Sequence, residues 1–218
     1  LSIGLNKFKK LHKTKFNQSI HISLRCKNYA FVENLYKFIL VQKNSFIFES
    51  VEKGKIRGRY TIIGFNPDKI LNIKKNVIVE DDLKKKKIIK KNILKYLNNL
   101  FKNFKVKSSK ELPRMSSMLV GYFSYDIIRL IENIPNKCKD DLNIPDIRLM
   151  RPKNLIIYDN VKRKIFYIEN IYNDQKIYDY QSEYEKIKST LNELHHYGNI
   201  PLPENFHINN KKINIKSN

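Results

Sequence analysis

Two apolar, β-branched runs, Leu155-Ile156-Ile157-Tyr158 and Lys164-Ile165-Phe166-Tyr167-Ile168, flank the polar tetrad Asp159-Asn160-Val161-Lys162, and a β-hairpin is the fold element that this pattern predicts. A hairpin cannot bury its apolar face alone, so the rest of the chain must supply further strands to extend the sheet and helices to cover it. Strands are expected at Ile20, Ile22 and Leu24, which alternate with His21, Ser23 and Arg25, and at the compact run Ser45–Ser50, read as a buried strand. Arg59–Gly64 is a further strand. Asn66-Pro67-Asp68 then predicts a turn before Ile70, Leu71 and Ile73, with Asn76–Glu80 completing an antiparallel ribbon, and Met118–Phe123 is one more strand.

Helical spacing predicts helices near 32–42, over 84–104 (Ile89, Ile93, Leu97, Leu100, Phe104) and over 178–195 (Tyr180, Tyr184, Ile187, Leu191, Leu194), the last stopped at Gly198. Ser124 is positioned to cap a short buried helix over 127–131. Residues 105–114 are polar and expected to form a mobile linker. The domain organisation read from these patterns is a solvated basic tail over 1–18, one domain over 19–200, and an Asn- and Lys-rich linker over 201–218.

The formal charge of +22 over 218 residues raises the question of a polyanionic partner, but the surplus is 35 Lys against 8 Arg. Nucleic-acid sites favour the bidentate fork of Arg, and Lys, Asn and Ile share A/T-rich codons, so the charge is read as solvated surface with no nucleic acid partner. No apolar run approaches the roughly 20 residues of a membrane span, so no membrane is expected either. Cys26 and Cys138 are too few for a disulfide framework or a zinc site, which points to a reducing compartment. Phosphate-cradling glycine loops, nucleophile elbows and metal-binding His pairs are all missing from the sequence. These patterns establish an α+β fold of largely antiparallel sheet with packed helices, and no visible active site.

Two segments carry a resemblance. Ser45-Phe46-Ile47-Phe48-Glu49-Ser50-Val51-Glu52 followed by Gly58-Arg59-Tyr60-Thr61-Ile62-Ile63-Gly64, and then Leu119-Val120-Gly121-Tyr122-Phe123-Ser124-Tyr125-Asp126 with Arg129, Glu132 and Pro135, resemble the signatures of the anthranilate synthase component I family. The order and spacing match over about residues 30–170. One departure is Tyr29-Ala30-Phe31-Val32, where the family often carries a Thr-Pro pair.

The resemblance implies the N-terminal part of an enzyme that converts chorismate, with glutamine or ammonia, to anthranilate in tryptophan biosynthesis. It also implies truncation before the catalytic chorismate-binding domain, so catalytic residues and the Mg2+ of that domain are expected to lie outside this chain, with no cofactor held here. The partners implied are that domain, a glutamine amidotransferase subunit (component II) and L-tryptophan as feedback inhibitor; the location implied is the cytoplasm, or an organelle stroma if the gene is plastid-encoded. By motif match the L-tryptophan site takes Ser50, with Glu49 its strand neighbour and Arg59 the basic residue on the next strand. A hydroxyl and a guanidinium suit the amino and carboxylate groups of an amino acid. The nearest rival is aminodeoxychorismate synthase component I, and a basic RNA- or membrane-binding module is the reading from a different class.

Overall fold

Fifteen residues of nearly continuous β-forming sequence, Tyr60–Lys74, pair antiparallel with thirteen more, Ile147–Asp159, and this couple is the spine of the molecule. The computed structural model describes residues 1–14, 16–26, 30–40, 42–49, 58–135 and 139–198. In chain order the elements are α1 (Leu5–His12), β1 (Asn17–Arg25), α2 (Ala30–Leu40), β2 (Phe46–Glu49), β3 (Tyr60–Lys74), β4 (Val77–Asp81), β5 (Lys86–Ile89), α3 (Ile93–Asn103), β6 (Val106–Lys107), β7 (Val120–Phe123), a 3₁₀ turn (Tyr125–Leu130), β8 (Ile147–Asp159), β9 (Lys164–Ile171) and α4 (Tyr180–Gly198). The described strands form one sheet, antiparallel except where β6 runs parallel to β1, and with the packed helices this is the expected α+β class.

The spine has two halves. Along the first half of β3 and the last of β8 lie β2, β9 and β1; along the other half lie β4, β5 and β7. The first half carries a core of Ile20, Ile63, Ile156, Ile165 and Tyr167 against Phe8 of α1, Leu35 and Ile39 of α2, and Ile187 and Leu191 of α4. The second half packs Leu71, Ile73, Ile78, Ile147 and Leu149 against Ile93 and Leu97 of α3. A third cluster, Leu155, Ile157, Phe166 and Ile168, is covered by Leu112, Met115 and Met118 of the segment before β7.

Several expectations are corrected. The turn at Asn66-Pro67-Asp68 is absent: β3 runs straight through it, with a register shift between Pro67 and Lys69 and Asn66 at φ 50°. Pro67 faces Pro152, and since neither can donate an N–H, the ladder loses little by bulging there. The basic tail expected over 1–18 instead holds α1, whose Phe8 is fully buried with its ring centroid 5.8 Å from that of Tyr180. The helix expected from residue 84 begins only at Ile93. Asp82 Oδ1 accepts the backbone N–H groups of Lys84 and Lys85, which turns the chain into β5, and Asn92 Oδ1 then caps α3 through Lys95 N at 2.9 Å. Ile89 looked helical because it packs on the same core as Ile93. Lys84–Lys87 therefore lie at and beside an exposed edge strand, where lysines discourage pairing with another chain.

The segment 105–114 is tied down rather than free, through the β6 pairing and buried Leu112. The helix over 127–131 is a 3₁₀ turn with no buried residue, and β2, expected to be buried, is a sheet margin with Phe48 51% exposed.

Candidate functional site

Pairing of β2 with β3 sets Glu49 opposite Thr61, two positions along from Arg59, so these two expected ligand residues lie at one end of one strand pair. Ser50 lies outside the described residues. Strand alternation sends Ile47 to the helix-covered core and Phe46 to the third cluster on the other face. Glu49 shares the parity of Ile47, and its carboxylate accepts a hydrogen bond from Tyr36 Oη of α2 at 2.9 Å. On the opposite face Phe46 and Phe48 have ring centroids 4.8 Å apart, with Tyr60 and Ile62 beside them half-buried.

Arg59 is firmly held. Its Nε donates to Asp159 Oδ1 at 3.1 Å and its Nη2 to Oδ2 at 2.8 Å, while its guanidinium lies 4.8 Å from the Tyr60 ring centroid. The preceding Gly58 takes φ 76°, a conformation that suits glycine, and Asn160 clasps both backbones by donating its N–H to Arg59 O and its Nδ2 to Gly58 O. The Asp159 side chain is only 2% exposed and also accepts the N–H groups of Val161 and Lys162. Burial pushes its carboxyl upward, but Arg59 and these backbone donors outweigh that and hold it below the usual carboxylate range. An external anion therefore meets a guanidinium whose Nε and Nη2 are already engaged by an internal carboxylate.

Two charged clusters went unseen in the sequence. Arg151 of β8, 8% exposed, donates to both Asp68 oxygens from Nε (2.8 Å) and Nη2 (2.6 Å) and to both Asp174 oxygens (2.8 and 3.2 Å), with its guanidinium 4.0 Å from the Tyr172 ring centroid. Lys69 completes the cluster on Asp174 at 2.8 Å. Burial alone would lower the Arg151 pKa; its two carboxylate partners reverse this and raise it. The bulge at Pro67 brings Asp68 into this cluster, so a residue read as turn chemistry becomes half of a buried ion pair. No periodic signal marks Arg151.

The second cluster fastens the segment before β7. Glu111 accepts from Ser23 Oγ at 3.2 Å, forms an ion pair with Lys164, and lies 3.5 Å from Nε2 of His21, which is 3% exposed. The Lys164 bond is the main cause that lowers the Glu111 pKa to about 2. Burial lowers that of His21 from 6.5, partly offset by Glu111. The folded chain thus favours neutral His21, so stability is complete above pH 6.5 and is lost as pH falls below it toward the lowered folded value. Thermal melts between about pH 7.5 and about pH 5.5 are expected to show Tm falling with acidity, and His21→Gln to flatten that fall; an equal slope in both proteins would refute the assignment.

Among the described residues no group of three or more His, Cys, Asp or Glu side chains is arranged to hold a metal ion, and none is assigned to magnesium. No described helix is long and apolar enough to cross a membrane. Both sequence signatures land on the spine, β2 against β3 and β7 against β8.

A family model described as chorismate binding enzyme matches residues 43–213. The chain belongs to the chorismate-binding enzyme family. Among curated members, it is similar to anthranilate synthase component 1 of Acetivibrio thermocellus, 32% identical over 163 residues that cover 74% of this chain and 33% of that protein. The same protein of Cereibacter sphaeroides is 30% identical over 163 residues, covering 72% and 33%. The fold is shared with the crystal structure of anthranilate synthase component I from Streptococcus pneumoniae TIGR4, at TM-score 0.53 and 23% identity over 78% of this chain and 35% of that one. The likeness to anthranilate synthase component I read from the two signatures is thereby borne out. This chorismate-binding family chain spans about a third of the length of these relatives.

Proposed function

We propose that this chain is part of an anthranilate synthase component I and contributes its L-tryptophan brake and scaffold rather than its chemistry. The observation that carries the reading is the 32% identity to the Acetivibrio thermocellus protein across three quarters of the chain. The pairing of β2 with β3 supports the site assignment, because it brings the strand ending at Glu49 beside the strand that Arg59 precedes. In this reading Ser50 and the Nη1 of Arg59, the part of its fork that Asp159 does not engage, meet the polar groups of tryptophan, Phe46, Phe48 and Tyr60 offer apolar surface, and Glu49 steadies the strand through Tyr36. Feedback follows if tryptophan binds one arrangement of the whole enzyme better than another. The partners are the catalytic part of the same polypeptide, with its Mg2+, and a glutamine amidotransferase subunit. The place is the cytoplasm or an organelle stroma, the relative in Oryza sativa being described as chloroplastic.

Anthranilate fluorescence in the presence of chorismate and ammonia tests this in three arms. The 218-residue chain alone is expected to show no turnover; a full-length enzyme carrying it should turn over and be inhibited by tryptophan. Ser50→Phe in that enzyme should keep turnover and raise the tryptophan concentration for half-inhibition by about tenfold or more, as loss of a well-placed polar contact does. Turnover by the chain alone, or an unchanged inhibition curve, would overturn the corresponding half of the proposal.

A further inference from the structure

Beyond the second core, α3 and the spine diverge. Ile93 and Leu97 bury, but Lys95, Asn99 and Asn103, each one helical turn from the next, line a cavity of about 730 Å³ whose other wall includes Lys69 and Arg151. That is the size of a small-molecule site, which runs about 300–1,000 Å³.

The charges in the lining are unequally committed. Asp174 is taken by Arg151 and Lys69, Glu80 accepts the Tyr96 hydroxyl, and the Arg151 fork is filled by its two aspartates. The ammonium groups of Lys91 and Lys95 have no ion pair or hydrogen bond among the described residues, and both side chains are exposed. Asn99 and Asn103 likewise present exposed amides, each with donors and an acceptor. Leu100 and Phe104, half-buried, give the same cavity an apolar wall.

We propose that this groove binds a small sugar phosphate: the phosphate between Lys91 and Lys95, the hydroxyls on Asn99 and Asn103, and the ring face on Leu100 and Phe104. Lysine is a compact point charge that can hold a phosphate without the planar geometry of an Arg fork, and the Arg fork in this lining is already engaged by Asp68 and Asp174. The amides select a hydroxylated body over a purely apolar one, because an apolar body would strip their water and return no hydrogen bond. The proposal stands independently of the tryptophan site.

Calorimetric titration of the whole chain with ribose 5-phosphate, at about 0.15 M salt to screen the general positive charge, tests it. Saturable binding is expected, about tenfold or more tighter than that of ribose or of inorganic phosphate alone. Lys91→Ala with Lys95→Ala should weaken it by about tenfold or more, and Asn99→Ala with Asn103→Ala should bring ribose 5-phosphate close to inorganic phosphate. All four side chains are exposed, so the melting temperature should stay the same in both double variants. Equal affinity for ribose 5-phosphate and inorganic phosphate, no saturation, or an unchanged lysine double variant would overturn the site. So would displacement of the sugar phosphate by a short RNA with a steep salt slope, since that marks general polyanion attraction.

Discussion

Arg151→Met is expected to cost about 3 kcal/mol, the low end of what breaking a buried ion pair costs. Asp68, with a side chain 13% exposed, would be left buried beside an apolar methionine; Asp174, 43% exposed, would recover water and keep Lys69, which is why the upper end is not reached. For a chain of this length about 3 kcal/mol lowers Tm by roughly 6–12 °C. Urea unfolding of Arg151→Met, of Asp68→Asn and of the double variant closes a thermodynamic cycle, and the double variant should recover part of the loss because no buried charge remains. A single-variant loss below about 1 kcal/mol would mean that the cluster is a surface pairing and not a buried one.

Gly121→Ala should be comparably damaging for a steric reason. An alanine Cβ at this position would sit 1.8 Å from the Arg148 carbonyl oxygen and 2.9 Å from Leu149 Cα. Both are backbone atoms of the facing strand β8, so no side chain can turn aside, and β7 must leave its partner. The cost is on the order of 2–4 kcal/mol, the range for overpacking joined to lost strand pairing. Buried Val120 and Leu149 would then be wetted, and amide exchange should accelerate along Val120–Phe123 first. The neighbouring Tyr122, 38% exposed, is the control: Tyr122→Ala should cost under about 1 kcal/mol. If Gly121→Ala melts within a degree or two of the parent chain, the tight approach of β7 to β8 is wrong.

The candidate site was legible in part. Glu49 and Arg59 could be placed at neighbouring strand ends because β2 and β3 each announce themselves by a local run of β-formers. That Arg59 is already occupied could not be read, because its partner Asp159 lies 100 residues away, at the end of β8 where the hairpin turn begins. Asp159 looked like ordinary turn chemistry, which it also performs through Val161 and Lys162.

Helices α2 and α4, the β8–β9 hairpin and the antiparallel character of the sheet were decided by residues close together in the chain, since a period of 2 or 3.6 is a local property that survives without knowledge of partners. The passage of β3 through Pro67, the capture of Lys86–Ile89 as a strand and the docking of α1 through Phe8, Leu5 and His12 were decided by tertiary structure. Pro67 is tolerable only because Pro152 faces it, and Ile89 can serve helix or strand until β4 claims it. The same holds for charge. Lys, Arg, Asp and Glu side chains read as solvated surface until the fold supplies a partner, and so Arg151, Glu111 and His21, which tie the segments of this protein together, were invisible until strands far apart in sequence met.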